Sequence, residues 1–115
     1  MVKVHAAPGE VIDVGPLGDA LANTKTGTLF KSESMEVIRL VLPAGKKIAQ
    51  HKAPGELTVQ CIEGRVQFTV FDKTVELTTG TMLYLMPAEL HALSAIENSS
   101  LLLFISLVKK LDSVQ

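Results

Sequence analysis

Short apolar runs divided by turn residues are the feature that most constrains how this chain can fold. The run that begins at Arg65 places Val66, Phe68 and Val70 on one side and polar residues on the other. Alternation with period two is typical of a half-buried strand, and turn signals every 8 to 12 residues indicate a sandwich or barrel. We therefore predict an all-β protein. The predicted strands are residues 35–42, 57–62, 65–71, 74–77, 82–85, 91–96 and 101–108.

The first thirty residues differ in pattern from the rest of the chain, because glycine and proline divide them into short segments. We expect an arm over residues 1–30, with one extended segment at 11–14 and one helical turn near 17–23. Residues 31–115 then form the β-barrel. At 115 residues the chain has the length of a single domain.

Composition excludes several classes of partner. A net charge of −1 and an aromatic content of 4%, with no tryptophan, argue against binding to nucleic acid or to an anionic membrane surface. No apolar stretch approaches the roughly 18 residues needed to span a bilayer, and residues 1–10 do not resemble a targeting segment. We therefore expect a cytoplasmic protein.

The final predicted strand, residues 101–108, is apolar almost throughout. Such a run is typical of a strand that is covered on both faces. Because an uncovered apolar patch promotes aggregation, a second subunit is the expected cover, and we predict a homodimer.

Five residues carry a resemblance to a known family. Gly45 stands six residues before His51, Gly64 closes the same segment, and Gly80 and His91 bracket a second segment. In this spacing the chain resembles a small single-domain member of the cupin superfamily. The resemblance implies a double-stranded β-helix, or jelly-roll, barrel in which the two motifs face each other. It also implies a metal site built by three histidines and one glutamate.

The chain departs from that ligand set at two positions. Ala53 stands where the family has its second histidine, and Leu57 stands where it has its glutamate. His51 and His91 remain as metal-ligand candidates, and the cofactor would be a divalent ion of iron, manganese, nickel or zinc. Gln60 or Glu56 would complete the shell only if the strand register slipped by one residue, because alternation turns both away from the face of Leu57.

Further candidates for the pocket lining follow from alternation along the strands. Leu57 and Cys61 share one face, and Tyr84 shares a face with its neighbouring methionines. Arg39 alternates with valines, so it either enters the pocket as an anion anchor or lies on a solvated sheet face. Cys61 is interpreted either as a buried structural thiol or as a nucleophile.

Three functional hypotheses remain open at this point. The first is a small-molecule-binding protein with an apolar cavity and the two histidines at its polar end. The second is a metal-dependent cupin-type enzyme, such as a dioxygenase or isomerase, that uses His51 and His91. The third is a structural dimer module with a filled core. The sequence does not identify the ligand, the metal or a reaction.

Overall fold

Two antiparallel β-sheets packed face to face make up the fold, as seen in a computed structural model that describes residues 5–108. A 3₁₀ helix, Gly18–Asn23, precedes all of the described strands. The strands are β1 Gly27–Lys31, β2 Met35–Leu42, β3 Lys47–His51, β4 Leu57–Glu63, β5 Arg65–Val70, β6 Lys73–Thr78, β7 Met82–Leu85, β8 His91–Ala95 and β9 Ser99–Ser106.

The first sheet has the strand order β1-β2-β9-β4-β7, and the second has the order β3-β8-β5-β6. All seven strand pairings are antiparallel. The predicted all-β barrel of two sheets is therefore confirmed. Strand β1 pairs with β2 and belongs to the first sheet, although most of it falls within the range expected for the arm. Residues 11–14, expected to be extended, belong to no strand.

The core lies between the sheets and is formed by the inward residues of alternating strands. In β4, Val59 is fully buried opposite Leu103 of β9, and in β5 Phe68 is buried opposite Leu93 of β8. Burial of side chains of this size is worth about 1.5–3 kcal/mol each. The core therefore supplies the main force that holds the two sheets together.

Gly64 makes the tight turn between β4 and β5. Its φ is +96°, in the left-handed region that favours glycine, and a Cβ there would clash with the backbone at Asn98 and the Ser99 side chain. Only glycine fits this position. The motif glycine is therefore required by backbone geometry, whether or not a metal is bound.

The N-terminal segment is fastened to the outer face of the first sheet by a polar network. The Glu63 carboxylate accepts hydrogen bonds from the backbone N–H groups of Leu17 (2.8 Å) and Gly18 (3.1 Å) and from the Ser100 hydroxyl (2.6 Å). Arg39 donates to Ser100 Oγ and to the carbonyl of Asp13. Three hydrogen bonds thus join the segment to the sheet, and two more, Ser100 to Glu63 and Arg39 to Ser100, link the sheet residues that receive it.

No helix within residues 5–108 is long and apolar enough to cross a membrane.

Candidate functional site

Two imidazoles meet at one end of the second sheet. His51, the last residue of β3, is the register partner of His91, the first residue of β8. Their ring centroids are 4.2 Å apart and the rings are inclined at 63°. Residues paired directly across an antiparallel sheet share a face. The two histidines of the separate motifs therefore lie side by side on the inward face of the barrel.

Each ring is held by a backbone carbonyl two residues earlier. The Nδ1 of His51 lies 3.0 Å from the carbonyl oxygen of Ala49, and the Nδ1 of His91 lies 3.1 Å from that of Glu89. Because a carbonyl only accepts, both Nδ1 atoms carry the proton. A neutral imidazole protonated at Nδ1 has a free lone pair at Nε2. In that form a ring offers its Nε2 as a nitrogen acceptor.

His91 is the more enclosed of the two rings, with an exposed fraction of 3%. Phe68 stacks beside it, with ring centroids 6.1 Å apart and planes inclined at 28°. Burial lowers the pKa of His91 below its ordinary value, and the neighbouring His51 lowers it further, while the carbonyl and charge of Glu89 oppose the shift. His91 is therefore held in its neutral form.

The hydrogen-bonding state of Nε2 differs from that of Nδ1 in both rings. Among residues 5–108 neither imidazole Nε2 has a hydrogen-bond partner. Within the same residues, no fully enclosed side-chain nitrogen or oxygen lacks a partner. The unpartnered Nε2 of His91 is therefore not fully enclosed, even though the ring as a whole is buried.

Two of the predicted pocket residues lie in the core. Leu57 and Cys61 point inward from β4 and are 3% and 0% exposed. The Cys61 thiol donates to the carbonyls of Glu63 and Gly64, and burial raises its pKa. Such a thiol is a poor nucleophile. Both residues shape the barrel interior, and neither presents a reactive group to the histidine pair.

Arg39, considered as an anion anchor in the pocket, lies instead on the outer face of the first sheet. It pairs with Leu102, whereas the adjacent residue Leu40 pairs with the core residue Leu101. The N-terminal segment covers it and takes one of its hydrogen bonds at Asp13. The arginine is buried because both faces of β2 are covered.

Tyr84, Glu56 and Gln60 also lie away from the barrel interior. Tyr84 is 55% exposed, and its hydroxyl donates to Glu56. Gln60 pairs with Met82 and Leu102, one residue out of phase with the buried Cys61. The one-residue slip that would turn Glu56 and Gln60 inward does not occur. Neither side chain therefore reaches the histidine pair.

A family-type metal centre of four protein ligands does not fit this donor set. Residues 5–108 contain no group of three or more histidine, cysteine, aspartate or glutamate side chains placed to hold one ion. Protein sites for zinc, iron or manganese ordinarily supply three or four donors. Within residues 5–108, the two histidines are all that is offered to a metal at this position.

An apolar groove that the sequence did not reveal opens between β6 and β7, the edge strands of the two sheets. Its volume is about 300 Å³, and its apolar walls include Val70, Val75, Leu83 and Leu85. Val70 is the register partner of His91. The groove therefore adjoins the histidine pair. Alternation predicts which residues point inward, but it does not show where the edges of two sheets separate and leave a groove.

Comparisons with known proteins bear on the fold. No family model matches the chain. No curated protein matches it significantly. Among solved structures, a conserved protein of unknown function from Streptococcus pyogenes superposes with a TM-score of 0.72 at 20% identity, covering 91% of this chain and 93% of its own. A cupin superfamily protein from Desulfitobacterium hafniense gives 0.74 at 13% identity, covering 94% and 99%.

An enzyme is also among the structural neighbours. An oxalate decarboxylase variant from Bacillus subtilis superposes with a TM-score of 0.62 at 20% identity, covering 65% of this chain and 22% of the enzyme. Cupin-fold neighbours thus include an enzyme as well as a protein of unknown function. At these identities the likeness shows the fold alone, which is that of a small cupin domain, as the motif spacing predicted.

Proposed function

We propose that this cupin-fold chain binds a small molecule at the end of its barrel, with His51 and His91 as the polar contacts. The observation that carries the proposal is the pair of adjacent imidazole rings, each of which donates through Nδ1 to a carbonyl and leaves Nε2 without a partner. Converging titratable groups beside an apolar groove are a common arrangement in ligand sites.

The groups around His91 also hold its ring in one position before any ligand binds. His91 is fixed by the Glu89 carbonyl and by the Phe68 ring, so it does not need to reorganise when a ligand arrives. Preorganised groups lose less conformational entropy on binding. A histidine that served only to fill the core would have no need of an accessible Nε2.

A library of small molecules screened by thermal shift would test this proposal. Binders should stabilise the native chain but not the His51→Ala and His91→Ala variants. His5, which is exposed in the N-terminal segment, provides the matched control, and His5→Ala should respond as the native chain does. Stabilisation that is equal in all four proteins would contradict the proposal. A protein that binds nothing in such a screen would favour the structural module.

A metal-dependent enzyme is the second candidate, favoured by the same two free Nε2 atoms. Water molecules would have to complete the coordination shell, because Glu56 and Gln60 lie on the outer face. Such open positions are what a catalytic metal uses to polarise a substrate. Elemental analysis separates the candidates, since an enzyme of this kind should contain stoichiometric metal that both alanine variants lose.

We further propose that the chain is a homodimer, formed through the part of the first sheet's outer face that the N-terminal segment leaves uncovered. This patch consists of Met82, Tyr84 and Phe104, which are 57%, 55% and 38% exposed. Thr58 joins them, because it pairs with both Tyr84 and Phe104. Clustered apolar side chains of this kind commonly mark a protein interface.

A further inference from the structure

The groove between β6 and β7 is connected to the histidine pair by a row of side chains across the second sheet. His51 pairs with His91, His91 pairs with Val70, and Val70 pairs with Lys73 at the groove. All four lie on the inward face. Because neighbouring strands are about 4.8 Å apart, the row from His91 to Lys73 spans about 10 Å. Val70 lines the groove and is the neighbour of His91 on the same face, so it is the residue that a groove-bound molecule would have to pass to contact His91.

The rim of the groove carries exposed apolar side chains. Phe71 is 73% exposed and Met86 is 57% exposed, and both line the groove. Leu90, the residue before His91, is 49% exposed. Exposed large apolar side chains gathered around an opening favour contact with an apolar ligand over contact with water.

Backbone strain is concentrated at the same rim. Within residues 5–108 only two residues other than glycine have a positive φ, Phe71 at 58° and Ala88 at 65°. Phe71 opens the two-residue turn between Val70 and Lys73, at a position where a type II′ turn prefers glycine. Strained positions persist where surrounding structure or function requires the side chain. A phenylalanine here contributes a side chain that the turn itself does not need.

The charges around the groove select a neutral ligand. Lys73 and Glu89 line it with opposite charge, and Glu89 Oε1 also accepts a hydrogen bond from the Met86 N–H. No net field therefore favours an anion or a cation. At the inner end, the Nε2 of His91 accepts a hydrogen bond and cannot donate one, because the ring proton is on Nδ1. The matching ligand group is a hydrogen-bond donor.

Building on the proposed function, we infer that the groove binds a neutral, mainly apolar molecule with a hydroxyl group, which donates to the Nε2 of His91. The apolar body lies on Val70, Val75, Leu83 and Leu85, and Phe71 covers it from the rim. Because the hydroxyl replaces its lost water contacts with a hydrogen bond to the imidazole, a ligand without that donor leaves Nε2 unpaired and binds more weakly.

Two small probes of matched shape test this inference: 4-propylphenol and its methyl ether, 4-propylanisole, which lacks the donor. Amide NMR titration should show 4-propylphenol shifting resonances of β6, β7 and His91, with at least about fivefold tighter binding than the ether, as expected for one hydrogen bond. Equal binding of both probes, shifts confined to another surface, or no binding of the phenol would overturn the inference. His91-dependent binding of a charged molecule instead would leave the proposed function intact.

Phe71→Gly separates a ligand role from a structural one. Glycine suits the positive φ, so the melting temperature should stay within a few degrees of the native value, while affinity for 4-propylphenol should fall severalfold. Ile96→Ala removes an apolar side chain that is 43% exposed and lies outside the groove, and it should leave affinity unchanged. Unchanged affinity in Phe71→Gly would show that Phe71 does not contribute to ligand binding.

Discussion

His51 and His91 are register partners whose rings lie 4.2 Å apart, although forty positions of sequence separate them. Strands β3 and β8 bring them together, and each ring uses its Nδ1 proton on its own backbone. The two Nε2 atoms are then the only polar groups of these rings available to another molecule.

The burial of His91 makes stability depend on pH. Its folded pKa lies below its ordinary value of 6.5, so the unfolded chain binds more protons near and below that pH. The contribution of His91 to the stability of the folded state is therefore fully present above pH 6.5 and is lost as the pH falls toward the folded pKa. We expect the free energy of unfolding, measured with urea, to fall between pH 7.5 and 5.5. In His91→Gln, which cannot titrate, this fall should be smaller.

Removal of the Glu63 carboxylate should loosen the N-terminal segment. Although burial alone would raise it, the pKa of Glu63 is lowered overall by hydrogen bonds from Leu17, Ser100 and Gly18 and by the charge of Arg39. This contribution to stability is present above the ordinary glutamate pKa and is lost as the pH falls through the folded value. Glu63→Gln should lower the free energy of unfolding by about 1–3 kcal/mol, because the buried residues Ser100 and Arg39 lose a charged partner.

Hydrogen exchange would locate that loss. In Glu63→Gln the amides of Leu17 and Gly18 should exchange faster, whereas the amides of β5 should be unaffected at low denaturant. Glu76→Gln, which removes an exposed partner of Arg65, serves as the control and should change stability by less than about 1 kcal/mol. Equal effects of the two substitutions would show that the network does not hold the segment.

Cys61 should resist thiol reagents in the folded protein. The side chain is fully buried, and burial raises its pKa, so the reactive thiolate is both rare and inaccessible. Reaction with a disulfide reagent should proceed only at the rate of unfolding and become fast in denaturant. Rapid modification of the native protein would show that Cys61 faces an open cavity.

Phe104→Glu should convert the proposed homodimer to a monomer, because it places a charge within the uncovered apolar patch. Light scattering should give twice the chain mass of 12.4 kDa for the native protein and a single chain mass for the variant. Phe71→Glu charges an exposed phenylalanine outside the patch and should remain dimeric. A native protein that is monomeric at micromolar concentration would contradict the proposal.

Alternation and turn signals were enough to predict the strands that build the core, as in β2 and β5. They missed β1 and β3, which lie at the sheet edges. In β3, Lys47, Ala49 and His51 are exposed along with Gln50, so burial imposes little apolar pattern on it.

The site was less predictable for a different physical reason. Alternation sorts a strand's residues onto two faces but does not say which face is inside when both are covered. Arg39 shows this clearly, because the N-terminal segment buries it on the outer face. The tautomers of the two histidines also depend on the backbone carbonyls of Ala49 and Glu89, whose positions sequence spacing does not supply.

The central claim is that His51 and His91 both use Nδ1 on a backbone carbonyl and that His91 is a neutral ring whose free Nε2 a small molecule can reach. Imidazole ¹⁵N NMR near pH 7.5, with the two rings assigned by His51→Ala and His91→Ala, tests it directly. We predict a protonated Nδ1 in both rings and an unprotonated Nε2 in His91, with the Nε2 signal of His91 moving on addition of 4-propylphenol. A proton on Nε2 of His91, or a signal unchanged by the phenol at saturating concentration, would contradict the claim.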